Sequence, residues 1–475
     1  MRKQVSFHLR RKNCAVYRQI RNSSKYYRMK ECKFDLLALA LGSLFLVNNV
    51  LATNPVIMDQ FTADPTARVF EGQVYLYPSH DIPVPAGSGA RSNWFCMEDY
   101  HAFSSSNLVD WTDHGVICNQ TNVPWLTRRN FDMWAPDCVF KDGTYYFYFP
   151  VGGRIGVATS EKPYGPWKVL EQPVMGVRGI DPCVLIDDDG SAYLFTAAGG
   201  ISVSKLKANM IETETRPQRI ANLPRPGLIE GPFAFKRNGI YYLTYPHAVT
   251  DATGHQGAER LEYSISTNVF GPYTWTGVIT DTNASGCWTE HHSIIQYQGQ
   301  WYLFYHDDQL SPSFDKNRSV RIDDLHFNDD GTIQKVIPTL RGVGIVDAKG
   351  KIQIDRYSDI SEEGVTVSFL NPTNTFEGWK ISLNGTKAWV RFDKVDFGQG
   401  GLKSVSARAV SATGGMVQIR VDGANGPLLA AVKVTKGPNW TVVKSKVSKV
   451  PAGIHDLIVT QVGSKPVDLD WISFQ

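Results

Sequence analysis

The stretch Asn238-Gly239-Ile240-Tyr241-Tyr242-Leu243-Thr244-Tyr245 decides the fold, because related phrases occur at four more places in the chain. Each copy has an acidic or amide residue, then a glycine, then an apolar, tyrosine-rich strand, and a short apolar strand precedes it. The other copies begin at Glu71-Gly72, Asp142-Gly143, Asp189-Gly190 and Gln298-Gly299. Such a pair between two strands is typical of a hairpin turn, since glycine tolerates a positive φ. The sequence therefore predicts five strand–turn–strand units.

The spacing of these units predicts how they are arranged. Successive glycines are 71, 47, 49 and 60 residues apart. A period near 50 residues, with strands alone and five copies, favours a five-bladed β-propeller, in which the first strand of each blade lines the central axis. A sandwich of loosely associated hairpins is the competing architecture. In a propeller, equivalent positions on successive blades converge at one end of the axis.

The residues that open the predicted inner strands are chemically unusual. They are Asp64, Trp134, Asp181, Glu230 and His291. Any one of the acids alone could be a strand-end cap, because Asp-Pro is a common turn dipeptide. Three acids at equivalent positions would repel one another unless their protonation states differ, so we interpret them as functional. One protonated and one ionised carboxyl group are the minimum requirement for glycoside hydrolysis, with inversion when a water fits between them and retention when they are closer.

An ordered set of motifs resembles glycoside hydrolase family 43. The set comprises Ala63-Asp64-Pro65, Asp99-Tyr100-His101, Trp111-Thr112-Asp113-His114-Gly115, Trp134-Ala135-Pro136-Asp137, Ile180-Asp181-Pro182, Ile229-Glu230-Gly231-Pro232 and Glu290-His291-His292-Ser293. The resemblance covers about residues 54–345 and implies inverting hydrolysis of α-L-arabinofuranosides or β-D-xylosides. It implies Asp64 as general base, Glu230 as general acid, and Asp181 as the residue that raises the pKa of Glu230 and orients it. No cofactor is needed for this chemistry.

Four further residues are candidates for substrate binding. Trp134 offers a flat indole to the apolar face of a sugar, with a core role as the alternative. By resemblance, His291 faces the axis and contacts a cation or water, and Arg318 hydrogen-bonds a carboxylate; a core histidine and a surface arginine are the alternatives. Trp288 is a candidate for shaping a subsite.

Two phrases narrow the expected substrate. Tyr77-Pro78-Ser79-His80-Asp81 and Met97-Glu98-Asp99-Tyr100-His101 resemble the branch of the family that includes arabinoxylan arabinofuranohydrolases. We therefore expect an exo-acting enzyme that removes α-L-arabinofuranosyl side chains from arabinoxylan or a related plant polysaccharide such as arabinan. A β-xylosidase or arabinanase on the same scaffold, and a glycan-binding propeller without activity, are the alternatives. We expect a monomer.

The repeat stops near residue 345, and period-two alternation over residues 345–475 predicts a β-sandwich. This region resembles a carbohydrate-binding module of family 6, a jelly-roll, through Ala388-Trp389-Val390-Arg391-Phe392, Val395-Asp396-Phe397-Gly398 and Asp468-Leu469-Asp470-Trp471. The resemblance implies that Trp379 and Trp440 sandwich a sugar ring and that Asp468 hydrogen-bonds it. It also implies a structural Ca²⁺ held by Gln353, Asp355 and Asp470, whose oxygens suit a hard cation.

The formal net charge of +3 is misleading, because residues 1–33 hold eleven Lys or Arg and one acid. The apolar run Leu36–Val47 follows, so residues 1–52 are typical of a secretory signal peptide, with Met29 as the expected true start. A buried N-terminal helix is the alternative. The run is short for a membrane span.

Without this leader, residues 53–475 carry 38 basic and 44 acidic residues, which argues against nucleic-acid binding. We expect a secreted or periplasmic protein with a propeller over 53–344 and a sandwich over 345–475.

Overall fold

A computed structural model describes residues 54–475 of the chain, and strands make up most of the regular structure there. The described residues contain no α-helix and two short 3-10 turns, Gln120–Asn122 and Thr375–Glu377. No helix within that range is long and apolar enough to cross a membrane. The predicted signal peptide lies outside the described residues. The predicted all-β class is confirmed.

Five antiparallel sheets follow one another along the first part of the chain. The first contains β1 (Ala63–Phe70), β2 (Gln73–Ser79), β3 (Asp99–Ser105) and β4 (Thr112–Asn119); the second contains β5 (Asp137–Lys141), β6 (Thr144–Val151), β7 (Arg154–Ser160) and β8 (Lys168–Val169). The third contains β9 (Ile180–Ile186), β10 (Ala192–Ala197), β11 (Ile201–Lys205) and β12 (Gln218–Arg219). The fourth contains β13 (Gly227–Ile229), β14 (Phe233–Arg237), β15 (Ile240–Thr250), β16 (Gln256–Ser266) and β17 (Thr274–Thr280). The fifth contains β18 (Ser293–Tyr297), β19 (Gln300–Asp307) and β20 (Ser319–Leu325).

The five predicted turns each join two paired strands of one sheet. At Asn238-Gly239 both residues have positive φ, 51° and 79°. The same holds at Glu71-Gly72, Asp142-Gly143 and Gln298-Gly299. Two successive positive φ angles match the right-handed twist of the strands that they join. The repeated tyrosine-rich phrase is therefore the second strand of a hairpin in all five sheets.

The first strands of the five hairpins are neighbours in space. β1 contacts β5, β5 contacts β9, β9 contacts β14, β14 contacts β18, and β18 contacts β1. The N-terminal segment runs beside the last of the five sheets, where the N–H of Val56 donates to the carbonyl of Val320 and the N–H of Thr62 donates to the carbonyl of Arg318, both at 2.9 Å. The beginnings of these inner strands are consequently gathered around one central space.

Two further sheets form the C-terminal part. Their strands are β21 (Val346–Asp347), β22 (Ile352–Gln353), β23 (Asp359–Ile360), β24 (Val365–Phe369), β25 (Trp379–Leu383), β26 (Trp389–Asp396), β27 (Ser404–Ser411), β28 (Gly415–Val421), β29 (Leu428–Val434), β30 (Gly437–Lys446), β31 (Ile454–Val462) and β32 (Val467–Phe474). One sheet has the order β21-β26-β31-β28-β29, with β23 beside β26; the other has the order β24-β25-β32-β27-β30, with β22 beside β32. Alternate side chains of both sheets, such as Val390 and Ile381, meet in one buried apolar cluster. This part is a β-sandwich.

Candidate active site

A cavity of about 310 Å³ lies where the inner strands begin. All seven residues predicted for catalysis and substrate binding in the first part of the chain line it, namely Asp64, Trp134, Asp181, Glu230, Trp288, His291 and Arg318. Its wall also contains Trp94, Phe95, Met97, Ile180, Leu228, Thr289 and Glu290. A mostly apolar wall with a few convergent polar groups is the usual character of a small-molecule site.

The backbone at two of the acids explains how the side chains reach the cavity. Asp64 and Asp181 have φ angles of 46° and 52°, a left-handed conformation that is uncommon for residues with a side chain. The strand register shifts between Ala63 and Thr66, and again where β9 begins. Such bulges re-aim a side chain at the end of a strand. Each left-handed residue costs about 1–3 kcal/mol, a cost that persists at functional sites.

Asp64 is buried within a set of donors. Ser79 Oγ donates to its Oδ2 at 2.5 Å, and Arg318 Nη1 donates to its Oδ1 at 2.9 Å. The backbone N–H of Asp64 donates to Nδ1 of His306 at 3.0 Å. Burial opposes ionisation of Asp64, but the Arg318 charge, His306, His291 and the Ser79 hydrogen bond together lower its pKa to about 2. Asp64 is therefore ionised at all ordinary pH values.

Glu230 has the opposite electrostatic environment. Burial, and then the negative charge of Asp64, raise its pKa to about 7. Asp181 is also buried, and its Oδ2 accepts a hydrogen bond from the N–H of Gly231 at 3.0 Å. Burial and the charge of Glu230 raise the pKa of Asp181 well above its usual range. Asp181 thus fixes the backbone immediately after Glu230 and competes with it for protons, while burial and the charge of Asp64 keep Glu230 protonated.

Arg318 links Asp64 to a second buried carboxylate. Its Nε and Nη2 donate to Asp81 at 2.9 and 3.0 Å, while Nη1 donates to Asp64. The guanidinium also lies over the ring of Phe95, 4.7 Å from its centroid. Two carboxylates and one aromatic face hold this side chain in one orientation.

Aromatic rings form much of the cavity wall. Trp94 and Phe95 contact each other edge to face at 5.3 Å, and Phe95 lies 6.4 Å from Trp288. The backbone carbonyl of Trp134 accepts a hydrogen bond from the hydroxyl of Tyr100 at 2.7 Å, which fixes the backbone that carries this indole. These rings offer apolar area to a sugar face at little entropic cost.

His291 is buried, and burial lowers its pKa to about 4, so the imidazole is neutral. A side-chain Cβ at Gly231 would lie 2.9 Å from Nδ1 of His291, so glycine is required there for close approach. Neutral imidazole nitrogens accept or donate a hydrogen bond without adding charge. His291 is therefore available to a hydroxyl group or water in the cavity.

Four residues around the acids were not predicted as site residues. Ser79, Asp81 and His306 surround Asp64 and Arg318 directly, and Glu259 lowers the pKa of Glu230. Ser79 and Asp81 lie within a phrase that carries the family resemblance, and His306 follows Tyr305 near the end of the fifth tyrosine-rich strand, β19. Glu259 lies within β16, where no sequence signal distinguishes it from other strand residues.

The predicted sugar ligands of the C-terminal part are not brought together. Trp379 lies on the core-facing side of β25, stacked on Phe369 at 5.4 Å, and lines a separate cavity of about 770 Å³. Trp440 lies on β30, three strand spacings away in the same sheet, or roughly 14 Å. Asp468 is half-buried and pairs with Lys380 at 2.6 Å. One sugar ring held between Trp379 and Trp440 does not fit this placement, because sheet order separates the two indoles.

The pairing of β22 with β32 brings the predicted calcium ligands close in the fold, with Ile354 N–H donating to the carbonyl of Asp470 at 2.8 Å. However, Asp470 is paired with Arg408, and Asp355 lies 3.1 Å from Nε of Arg356. Gln353 adds only a neutral amide oxygen. The oxygen donors suit calcium in type, but both carboxylates already have cationic partners, and three side chains are fewer than the 6–8 ligands that calcium takes.

The cavity therefore contains one carboxylate that stays ionised and one carboxyl group that stays protonated up to about neutral pH. This pair can activate a water and protonate a leaving oxygen at the same time. Such division of roles between two carboxyl groups is the chemistry of glycoside hydrolysis.

Comparisons with known proteins agree with this chemistry. The profile described as "Glycosyl hydrolases family 43" matches residues 52–333, and that described as "Carbohydrate binding module (family 6)" matches residues 360–475. The "Xylosidase/arabinosidase 43A" of Humicola insolens is 34% identical over 332 residues, covering 59% of this chain and 98% of the relative. The "Arabinoxylan arabinofuranohydrolase" of Bacillus subtilis (strain 168) is 27% identical over 491 residues, covering 91% of this chain and 94% of the relative.

Solved structures of family 43 enzymes resemble either about three fifths of this chain or most of it. A family 43 β-xylosidase/α-arabinofuranosidase from a compost microbial metagenome, in complex with xylotriose, aligns with a TM-score of 0.53 and 33% identity, covering 60% of this chain and 98% of that one. The family 43 arabinoxylan arabinofuranohydrolase from Bacillus subtilis, in complex with cellotetraose, aligns with a TM-score of 0.51 and 25% identity, covering 89% of this chain and 97% of that one. The chain belongs to glycosyl hydrolase family 43, is a glycoside hydrolase, and carries a carbohydrate-binding module of family 6.

Proposed function

We propose that this glycoside hydrolase removes α-L-arabinofuranosyl side chains from arabinoxylan, acting on terminal sugars with inversion of configuration. The observation that carries the proposal is the extent of similarity. Relatives named arabinoxylan arabinofuranohydrolase align over 91% and 87% of the chain, across both of its parts. Of the relatives named xylosidase/arabinosidase, two align over 59% and 58% of the chain and one aligns over 86%, so this name occurs with either extent of alignment, whereas both relatives named arabinoxylan arabinofuranohydrolase cover most of the chain.

In the proposed mechanism, Asp64 is the general base and Glu230 the general acid. Arg318 and Ser79 keep Asp64 ionised, so that it accepts a proton from water as that water attacks the anomeric carbon. Glu230 gives its proton to the glycosidic oxygen as the bond to the main-chain xylose breaks. Asp181 holds the backbone next to Glu230. The proton lost by water and the proton gained by the leaving oxygen balance over one turnover.

Binding of the terminal sugar is assigned to the cavity wall. We propose that Trp134 and Trp288 contact the apolar faces of the sugar and that His291 contacts a hydroxyl group. A cavity of about 310 Å³ is at the lower end of the range for small-molecule sites, which favours a terminal sugar over a long internal segment.

The remaining expectations are part of the same proposal. We propose that the five N-terminal sheets are the blades of a propeller over residues 53–344 and that residues 345–475 are a separate module. The ring of contacts among β1, β5, β9, β14 and β18 supports the first of these. We also propose secretion or export to the periplasm, action as a monomer, and a plant cell-wall polysaccharide as the partner.

β-Xylosidase activity is the second candidate, because relatives of the catalytic part are named xylosidase/arabinosidase and β-xylosidase. The test is product analysis after incubation with arabinoxylan, together with aryl arabinofuranoside and aryl xyloside at equal concentration. Arabinose release with the arabinofuranoside preferred is the expected result. Release of xylose alone would overturn the proposal, and proton NMR of a first-formed anomer with retained configuration would overturn the inverting mechanism.

A further inference from the structure

A cluster of two histidines and a carboxylate lies outside the set of residues that line the active-site cavity. His80 directly follows β2, and Asp99 and His101 lie at the start of β3. One ring nitrogen of each histidine and one carboxylate oxygen of Asp99 all lie within 4.8 Å of one another. Within residues 54–475, this is the one group of at least three histidine, cysteine or acidic side chains with that geometry.

The polar contacts around the cluster leave a nitrogen lone pair available. His101 Nδ1 lies 3.0 Å from both carboxylate oxygens of Asp113, so this nitrogen carries the proton and Nε2 presents its lone pair. Asp113 is itself fixed by the N–H of Gly115 at 2.7 Å and by Gln60 at 3.1 Å. A histidine whose second nitrogen donates to an anchored carboxylate is the common outer arrangement of metal-binding imidazoles.

The side chains of the cluster are also accessible enough to complete a coordination shell. His80, Asp99 and His101 side chains are 22%, 12% and 14% exposed, so waters can occupy further positions. His80 Nδ1 lies 2.7 Å from Asp99, and the two imidazoles meet edge to face at 5.2 Å. Ligand atoms of a tetrahedral zinc ion are about 3.4 Å apart, given bonds of about 2.0–2.1 Å. Small side-chain rotations would bring the three donors to that separation.

We propose that His80, Asp99 and His101 bind a divalent transition-metal ion of the zinc type, with water in the remaining position. Imidazole nitrogens are borderline donors, and two of them beside one carboxylate favour zinc, cobalt or nickel over calcium or magnesium. Asp113 acts as a positioning residue for His101.

The position of the cluster suggests what such an ion does. Asp81, which directly follows His80, holds Arg318 at 2.9 Å. Tyr100, between the other two ligands, donates to the carbonyl of Trp134 at 2.7 Å. A metal joining the end of β2 to the start of β3 would therefore fix two supports of the active site. Its effect is stabilisation of the fold, separate from the chemistry in the cavity.

The test is metal binding by the full chain, prepared without a polyhistidine tag and dialysed against chelator. Titration calorimetry with ZnCl₂ is expected to give one equivalent per chain, and added zinc is expected to raise the melting temperature. CoCl₂ is expected to produce the visible absorption of a four-coordinate site. His101→Ala is expected to abolish binding, and Asp113→Asn to weaken it by about 10–100-fold while leaving the amide oxygen in place.

The matched control is His455→Ala, because His455 also pairs with a carboxylate, Asp422, at 2.9 Å but has no third ligand. This variant is expected to bind zinc like the parent. Absence of binding by the folded parent chain, or equal affinity in the parent and in a folded His101→Ala variant, would overturn the proposal. If His101→Ala does not fold, unchanged affinity in Asp113→Asn would overturn it instead.

Discussion

Arg318 holds Asp64 by a hydrogen bond of 2.9 Å from Nη1 to Oδ1, and the same guanidinium makes a two-point contact with Asp81. A buried aspartate without this partner would resist ionisation. The arginine therefore decides which of the cavity carboxyl groups is the anion. Burial and the charge of the ionised Asp64 then raise the pKa of Glu230, although Arg318 itself acts on Glu230 in the opposite direction, so the two proposed catalytic residues differ in protonation state.

The first prediction concerns the acidic side of the pH profile. Asp64 must be ionised to act as a base, and its lowered pKa keeps it ionised as the pH falls to about 2. Arg318→Gln removes the main charge that lowers this pKa, and burial then raises it. We expect the acidic limb of kcat/KM to move upward by about 1–3 pH units. Ser79→Ala, which removes one hydrogen bond, is expected to give a smaller shift in the same direction. An unchanged limb in a folded Arg318→Gln protein would contradict the assignment.

The second prediction separates the acid from the base by the leaving group. Glu230→Gln cannot donate a proton, so turnover of arabinoxylan is expected to fall by about 10²–10⁴-fold. An aryl arabinofuranoside with a very acidic phenol needs no protonation, and the same variant is expected to retain most of its activity on it. Asp64→Asn is expected to lose activity on both substrates. Normal turnover of the polysaccharide by Glu230→Gln, with circular dichroism showing a folded chain, would remove Glu230 from the mechanism.

The hairpins and the cavity acids could be predicted from sequence because their signals are local and repeated. A pair such as Asn238-Gly239 carries the positive φ angles that a tight turn requires. Asp64, Asp181 and Glu230 stand at comparable distances before their turns, so an estimate of the period was enough to group them. The left-handed backbone of Asp64 and Asp181 has no such signal in the sequence, because a left-handed conformation does not require aspartate.

The pairing of charges and the order of strands could not be predicted. Asp81 and Arg318 are far apart in the chain, and only the closing contacts of the fifth sheet with β1 bring them together. Likewise, Trp379 and Trp440 both occur in alternating strands, and the sequence does not state that β32 and β27 lie between β25 and β30. Side-chain alternation predicts the face of a strand, whereas neighbours depend on the topology of the whole sheet.

The third prediction concerns glycan binding by the C-terminal module. Trp440 lies half-buried on β30 with Arg408 over its ring at 5.2 Å, on a different face from the buried Trp379. If Trp440 is the main sugar contact, Trp440→Ala is expected to weaken retardation in affinity electrophoresis on arabinoxylan by about tenfold or more. Trp389→Ala, on the other sheet, is the matched control and is expected to migrate like the parent. Loss of retardation in the Trp389 variant alone would place the sugar on the opposite sheet.

The fourth prediction concerns Glu259, the buried carboxyl group that no sequence signal identified. Its Oε2 accepts from the N–H of Glu290 at 2.8 Å, and burial together with the charge of Glu230 raises its pKa well above the usual range. Glu259 therefore keeps its proton, and its neutral carboxyl group lowers the pKa of the neighbouring Glu230. Glu259→Leu removes this polar group, so the pKa of Glu230 rises. Since the acid is active while protonated, the basic limb of kcat/KM, expected near pH 7, should move upward. Glu259→Gln retains a neutral polar group and should shift it less. A downward shift in both folded variants would show that Glu259 acts on Glu230 through negative charge instead.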